Sequence, residues 1–438
     1  MAEFIIQGGV PLKGAVRLGG AKNASFKLMI AAALGSQESR LLDISHIGDI
    51  TVTELTLKKL GVKVQRCGER TIFVQPGRIK SAQIPLISGE KTRGSTLFAA
   101  LLLGTLGEAV IPLPGGCSLG VRPIDRHLDA LKSLGVKTVC RGKWLHLSAK
   151  RLVGADFRFP KKSHTGTEAL ILAAVRAKGR TVIENAALEP EVDDLIAFLN
   201  KMGAKIRRAP LDKIIIDGVA KLGGAIHKIV PDRNEAVSYA VAALATKGDI
   251  VVENAREAHL TAFLQKLDEI GACFTVADYG IRFWYTKPLQ ATDIKTAPEP
   301  GFMTDWQPLW TLLMTQTKGV SRVIEAVHNS RLQFTEQLNR MGAKISLYQP
   351  KVTDLETFYE FDGPASDSNF HGAKITGPTP LRAGNFVVPD LRAGATLTIA
   401  ALVAAGESIL TGIDHIDRGY EQLDDRLRQL GAQIERRD

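Results

Sequence analysis

The chain has 438 residues, 45% of them hydrophobic and 23% charged, which excludes wholesale disorder and leaves room for roughly three domains at about 150 residues each. Its 56 Lys and Arg against 46 Asp and Glu give a formal net charge of +10, a balance that suits anionic ligands. The basic residues form no block and aromatics are only 6%, so a nucleic-acid surface with stacking rings is excluded as a reading.

In chain order, the first 20 residues are strand-like (EFIIQGG, GAVRLGG) and belong to no repeat. From residue 21 onward one pattern recurs six times. Each copy opens on a polar turn: GAKN, KTRG, SHTGT, PDRNE, MTDW and DLRAG. An Ala/Leu-rich run comes after the turn, as in KLMIAAAL, STLFAALLL and VSYAVAAL, apolar on most faces and therefore predicted to be a buried helix. Next come a short strand (RLLDI, AVIPL, TVIEN, IVVEN, SRVIE, SILTG) and an amphipathic helix that ends on a glycine. Those glycines are Gly61, Gly135, Gly203, Gly271, Gly342 and Gly431, spaced 74, 68, 68, 71 and 89 residues apart. Each stands where a helix C-terminus calls for a left-handed residue before the next strand.

Units of about 70 residues are too long for a solenoid, whose repeats run to roughly 20–45 residues. Two globular domains of three units fit better. The expected division places units one to three in residues 21–230, and units four to six in 231–438 with residues 1–20 returning to complete them.

Lys22, Arg93, Thr165, Arg233, Asp305 and Arg392 occupy one equivalent place, just before each buried helix begins. Helix N-termini carry unpaired N–H groups and partial positive charge, so they are ready anion sites. Thr165 and Asp305 taken singly read as helix caps. Four cations at such positions are electrostatically unfavourable, and an anionic ligand supplies a reason for them. Arg233 with Glu235 reads as a structural ion pair at a helix start.

The four cysteines make no CxxC pair, which points to a reducing compartment and away from a zinc site. Cys67, Cys140 and Cys273 are expected to be inert and buried. Cys117 lies in a Gly/Pro loop, PLPGGCSLGVRPIDRH, beside Arg122, where a thiolate finds support. A chemical role and a core role stand equally open for it. MAEFIIQGGV has no signal-peptide pattern, and the uncharged stretches 97–107 and 396–406 are about half the length of a membrane span, so a cytoplasmic protein with no membrane partner is expected.

Seven segments resemble one family: GGAKNAS around Lys22 and Asn23, GGCSLGVRPID around Cys117, IENAALEPEV at 183–192, PDRNEA at 231–236, TAPEPGFMTDWQ at 296–307, PDLRAGATL at 389–397 and HIDRGYEQL at 415–423. Together, in order and across essentially the whole chain, they resemble the UDP-N-acetylglucosamine 1-carboxyvinyltransferases, a family of enolpyruvyl transferases. The resemblance implies an α/β (α+β) fold: a two-domain inside-out α/β barrel built from six βαβαββ repeats, helices inside and sheets outside, with the active site in the cleft between the domains. It implies transfer of the enolpyruvyl group of phosphoenolpyruvate to the 3-hydroxyl of UDP-N-acetylglucosamine, with release of phosphate. That step opens peptidoglycan precursor synthesis, and so serves cell wall biogenesis, cell shape and division. A monomer with no cofactor and no metal is implied.

Such chemistry needs cations for a carboxylate and a phosphate, a base near the hydroxyl and an acid near C3 of phosphoenolpyruvate. By resemblance, Lys22, Arg122 and Arg392 clamp phosphoenolpyruvate, Arg392 by bidentate carboxylate contact. Asp305 holds the sugar 3-hydroxyl and takes its proton. Cys117 protonates C3 or aids product release, and is the cysteine that reacts with epoxide antibiotics of the fosfomycin type. Arg93 senses the bound anion, and Asn23 contacts the sugar or the intermediate. Arg122, Pro123, Ile124 and Asp125, with Ser163, His164 and Thr165, hold the uridine diphosphate. Val327 and Arg331 belong to a matching substrate segment. His127 is expected at the surface or on the uridine side, and Arg418 and Glu421 are expected to be structural.

Four features depart from the family pattern. His164 and Thr165 follow Ser163 where a small apolar residue and glycine are usual. Gly48 replaces a basic residue before Asp49, DRNEAVSY replaces a small-residue run, and residues 346–371 carry an acidic and aromatic insertion. The insertion reads as a surface excursion or as the mark of a diverged paralogue. Two alternatives are therefore kept: a 3-phosphoshikimate 1-carboxyvinyltransferase, which a GNAGT-like stretch would favour and which is absent, and a non-catalytic nucleotide-sugar-binding paralogue.

Overall fold

The computed structural model describes residues 2–86, 94–113, 124–210, 212–361 and 370–437. The six apolar runs form helices: Lys22–Ala32, Ser95–Leu106, His164–Ala174, Arg233–Ala245, Gln307–Met314 and Leu391–Val403. Every residue of Arg233–Ala245 and of Gln307–Met314 is buried. Ala and Leu favour the helix and offer water no polar face, so these helices must be enclosed on all sides.

Among the described residues six sheets share one plan. The strand after each buried helix is Ser39–Leu42, Glu108–Pro112, Arg180–Glu184, Asp249–Glu253, Gly319–Ile324 or Gly406–Thr411. Each pairs antiparallel with one strand of a further antiparallel pair; in the third sheet, for example, Arg180–Glu184 pairs with Lys213–Asp217, which pairs in turn with Lys205–Ala209. On its other side lies a short parallel strand, reduced in the second sheet to a single bridge from Gln83 to Val110.

The last sheet takes its third strand from the opposite end of the sequence: Glu3–Gly8 lies between Gly406–Thr411 and Gln433–Arg437. Alternation fixes that register, because Phe4 opposite Leu410 and Ile6 opposite Ile434 are all buried. Lys13–Arg17 then joins Asp249–Glu253, and Ile226–Lys228 joins Ser39–Leu42, both in parallel. The six marker glycines all adopt positive φ, between 75° and 100°. At Gly61 the amide donates back to the carbonyls of Leu57 and Lys58, closing the helix as a left-handed cap does.

The chain divides into two compact units, one of Met1–Gly19 with Pro231–Asp438 and the other within residues 20–230. Each has its own hydrophobic cluster. No helix among the described residues is long and apolar enough to cross a membrane.

Two expectations need correcting. Cys67 and Cys140 are exposed and Cys273 is half-buried, because all three lie on edge strands, which leave their side chains partly uncovered, rather than in the core. Residues 346–371 do not stand wholly apart from the sheets, since Ser346 belongs to the strand Lys344–Tyr348, which pairs with Gly372–Gly377. Nor is the insertion only a surface excursion: it carries the short helix Leu355–Phe358, and Tyr359 and His371 at its base are buried.

Candidate functional site

In the unit of residues 1–19 and 231–438, aspartates start two of the buried helices. The Asp390 carboxylate accepts from the amides of Arg392 (2.9 Å) and Ala393 (3.1 Å), and Asp232 accepts from Asn234 (2.8 Å) and Glu235 (3.2 Å). Arg392 and Arg233 therefore stand inside the first turn rather than before it. Asp305 lies just ahead of Gln307–Met314, whose first turn contains Pro308. Its carboxylate is held by two cations. Arg331 Nη2 donates to Oδ1 at 2.6 Å, and Arg392 Nη2 to Oδ2 at 3.3 Å. The structure thus brings together Asp305, Arg331 and Arg392, which are far apart in sequence.

Arg392 is 5% exposed, and its other arm donates to the Tyr420 hydroxyl at 3.2 Å, which in turn meets Ser238 Oγ at 2.8 Å. Burial alone would pull the guanidinium down, but Asp305, Tyr420 and Asp232 hold it above its ordinary value. A buried cation with one arm already on a carboxylate is suited to receiving a second anion. Val327 is half-buried, and its amide donates to Glu325 Oε1 at 2.9 Å.

The expected pair between Arg233 and Glu235 is not formed. Arg233 pairs with Glu299 and lies 5.7 Å from the centre of the Trp306 ring, while Glu235 pairs with Arg426 at 2.8 Å. Arg426 also reaches Glu421 at 3.2 Å, consistent with a structural role there. Burial raises the Glu235 carboxyl above the usual range against the pull of Arg426. Side chains two apart on a helix point to different faces, which is why the adjacent partner lost to distant ones.

In the unit within residues 20–230, Lys22 opens its helix without a side-chain cap and pairs with Asp49 at 2.9 Å. Asp49 sits in the first turn of Gly48–Leu60, and Asn23 is half-buried beside Lys22. The described cations at the helix starts, Lys22, Arg233 and Arg392, each meet a carboxylate, so a ligand is not needed to account for their charge. Ser163, not Thr165, caps its helix, accepting from the Gly166 amide at 3.2 Å. Thr165 Oγ1 lies 2.8 Å from His127 Nε2, which places His127 in the interior rather than at the surface. Ile124 precedes the helix Asp125–Ser133, with Asp125 exposed in its first turn. Arg93, Cys117, Arg122 and Pro123 lie outside the described residues.

His164 turns toward a buried charge cluster. Its Nε2 lies 3.1 Å from Lys27 Nζ and 3.2 Å from Glu168 Oε1, and Lys27 and Glu168 pair at 2.5 Å with almost no exposure. Burial and Lys27 pull the imidazole down, yet Glu168 and Glu189 hold it above its ordinary value. Sequence reasoning missed this cluster. The available signal was a lone charge inside each of two apolar helices, Lys27 in FKLMIAAA and Glu168 in TEALILAA. Among the described residues no group of three or more His, Cys, Asp or Glu is arranged to hold a metal ion.

The family model for EPSP synthase (3-phosphoshikimate 1-carboxyvinyltransferase) matches residues 6–427. The UDP-N-acetylglucosamine 1-carboxyvinyltransferase of Halothermothrix orenii is 39% identical over 434 residues, 99% of each chain. This chain belongs to the UDP-N-acetylglucosamine 1-carboxyvinyltransferase family. The relative in Acidobacterium capsulatum that carries the same name is 40% identical over 442 aligned residues, covering 100% of this chain and 96% of its own. A solved structure, the enolpyruvyl transferase NikO from Streptomyces tendae, shares the fold at TM-score 0.86 and 23% identity, covering 99% of this chain and 98% of that one. The span matched to the carboxyvinyltransferases starts within the strand Glu3–Gly8 and ends in the helix Leu423–Gln429, so it includes residues of every sheet.

Proposed function

We propose that the protein transfers the enolpyruvyl group of phosphoenolpyruvate to the 3-hydroxyl of UDP-N-acetylglucosamine and releases phosphate, the opening step of peptidoglycan precursor synthesis. One observation carries the reading: full-length relatives at 37–40% identity bear the name of that activity. The Asp305 cluster supports it with the residue types the chemistry requires.

In the proposed addition, Asp305 takes the proton of the sugar 3-hydroxyl while its oxygen bonds to C2 of phosphoenolpyruvate. C3 receives a proton, from the Cys117 thiol in this reading. In the elimination the bond from C2 to the phosphate oxygen breaks, inorganic phosphate leaves, and C3 gives up a proton to restore the double bond. Arg392, Lys22 and Arg122 hold the carboxylate and phosphate, and Arg93 responds to the bound anion. Asn23, Ile124, Asp125, Pro123, Ser163, His164, Thr165, Val327 and Arg331 serve the nucleotide sugar.

A carboxylate that accepts from two guanidinium groups is a weaker base toward a hydroxyl proton, because each cation favours its ionised form. The 3.3 Å contact from Arg392 is the longer of the two. In this reading the substrate carboxylate draws Arg392 away from Asp305 and so arms the base. Asp305→Ala is expected to lower phosphate release about 10²- to 10⁴-fold, the range for loss of a general base, with unchanged circular dichroism. A folded variant within tenfold of the parent rate contradicts the assignment.

The finer architecture belongs to the same proposal. Six sheets on one plan and six enclosed helices support three βαβαββ repeats in each of two inside-out barrels, with domains of residues 21–230 and of 1–20 with 231–438. The free cysteines support a cytoplasmic location.

A further inference from the structure

Glu325 is a carboxylate with no exposure that the reaction above does not use. Its Oε1 accepts from Thr296 Oγ1, the Val327 amide and the His328 amide, each at 2.9 Å. Its Oε2 accepts from Thr304 Oγ1, also at 2.9 Å. The Thr304 hydroxyl has one proton to give, and Glu325 receives it. Its lone pair then faces Arg331 Nη1 at 3.2 Å, and the other arm of Arg331 holds Asp305 at 2.6 Å. The polarity of the chain is therefore fixed from Glu325 through Thr304 and Arg331 to Asp305.

The turn that carries Glu325 is tied to the base of the insertion. The Glu325 amide donates to the His371 carbonyl at 2.8 Å, and the Glu360 amide donates to the Ala326 carbonyl at 2.7 Å. His371 is fully buried, with Nε2 2.9 Å from Asn329 Oδ1 and its amide donating to Gln349 Oε1 at 3.2 Å. Its ring stacks on Phe361 at 5.2 Å and meets Tyr359 at 5.0 Å.

We propose that Glu325 and Thr304 are positioning residues for Asp305, and that the Tyr359–Phe361–His371 base of the insertion is the brace that holds their turn in place. The proposal rests on the enolpyruvyl-transfer reading. A carboxylate base must sit within hydrogen-bond reach of its proton, and misplacement by about 1 Å can cost 10²-fold in rate. Thr304 and Glu325 touch no reacting atom; they act by fixing the guanidinium that aims Asp305.

The test compares steady-state phosphate release by the full chain and by Thr304→Val, Thr304→Ser, Glu325→Gln and Tyr359→Ala. Thr304→Val keeps the side-chain shape but removes the hydroxyl, and is expected to lower kcat tenfold or more with KM for phosphoenolpyruvate within twofold. Thr304→Ser restores the hydroxyl and is expected within threefold of the parent, a rescue that a purely structural role for the threonine methyl would not give. In Glu325→Gln an NH2 at Oε1 would face the Val327 and His328 amide donors, and an NH2 at Oε2 turns the Thr304 hydroxyl from donor to acceptor, so the polarity of the chain is lost and kcat should fall as in Thr304→Val. Tyr359→Ala should lower kcat threefold or more at unchanged KM. A Thr304→Val rate within twofold of the parent, or a Thr304→Ser variant as impaired as Thr304→Val, overturns the positioning role; should Thr304→Val not fold, a Glu325→Gln rate within twofold does so. Parental kinetics in Tyr359→Ala remove the brace. A parent that releases no phosphate overturns the enolpyruvyl-transfer reading itself, which variant-to-parent ratios do not address.

Discussion

Arg392 and His164 are two buried or half-buried basic groups whose protonated forms the fold favours by different means. For Arg392 the means is a carboxylate and two further neighbours in its own unit. For His164 it is Glu168 and Glu189, acting against burial and against Lys27. Because folding favours protonated His164, its stabilisation is complete below the ordinary imidazole value of about 6.5 and is lost as pH rises through the raised folded value. The gap in melting temperature between parent and His164→Gln should therefore shrink from pH 6 to pH 8.5, as followed by circular dichroism. A gap that widens with pH contradicts the sign. At this scale the sequence exposed Asp305, Arg392 and Lys22 as members of an equivalent series, but not their partners. Glu299 for Arg233 and Arg426 for Glu235 lie far along the chain, and no local spacing rule reaches them.

The helix ends show how local chemistry becomes architecture. Six glycines in the left-handed region end six amphipathic helices, and this was readable because the requirement is local to one residue. The placement of Glu3–Gly8 beside Gly406–Thr411 was readable only as a strand without a home, since pairing across the whole chain has no local signal. Between elements, Arg426 ties the helix Leu423–Gln429 to Arg233–Ala245 through Glu235, to Glu421, and to the Arg17 carbonyl at 3.1 Å. Removing one member leaves buried carboxylates without compensation. Arg426→Met is expected to cost about 3–5 kcal/mol in urea unfolding, the range for breaking a buried pair. A loss below about 1 kcal/mol would show the cluster to be indifferent to its cation.

For the whole molecule, the recurring sequence pattern and the motif order already pointed to one family, because seven long motifs in order leave few alternatives. What the chain could not reveal is which departures matter. The insertion looked peripheral, yet its base is buried against the turn that carries Glu325; the residues after Ser163 read as ligand contacts, and His164 among them also meets a buried ion pair. The acceptor separates the transferase from its two alternatives. The deciding measurement is phosphate release from phosphoenolpyruvate with UDP-N-acetylglucosamine or shikimate 3-phosphate as the second substrate. Release is expected with the nucleotide sugar alone, as enolpyruvyl transfer to that acceptor requires. Release with shikimate 3-phosphate alone, or with neither in a folded sample, would contradict it, the latter in favour of a nucleotide-sugar-binding paralogue without catalysis.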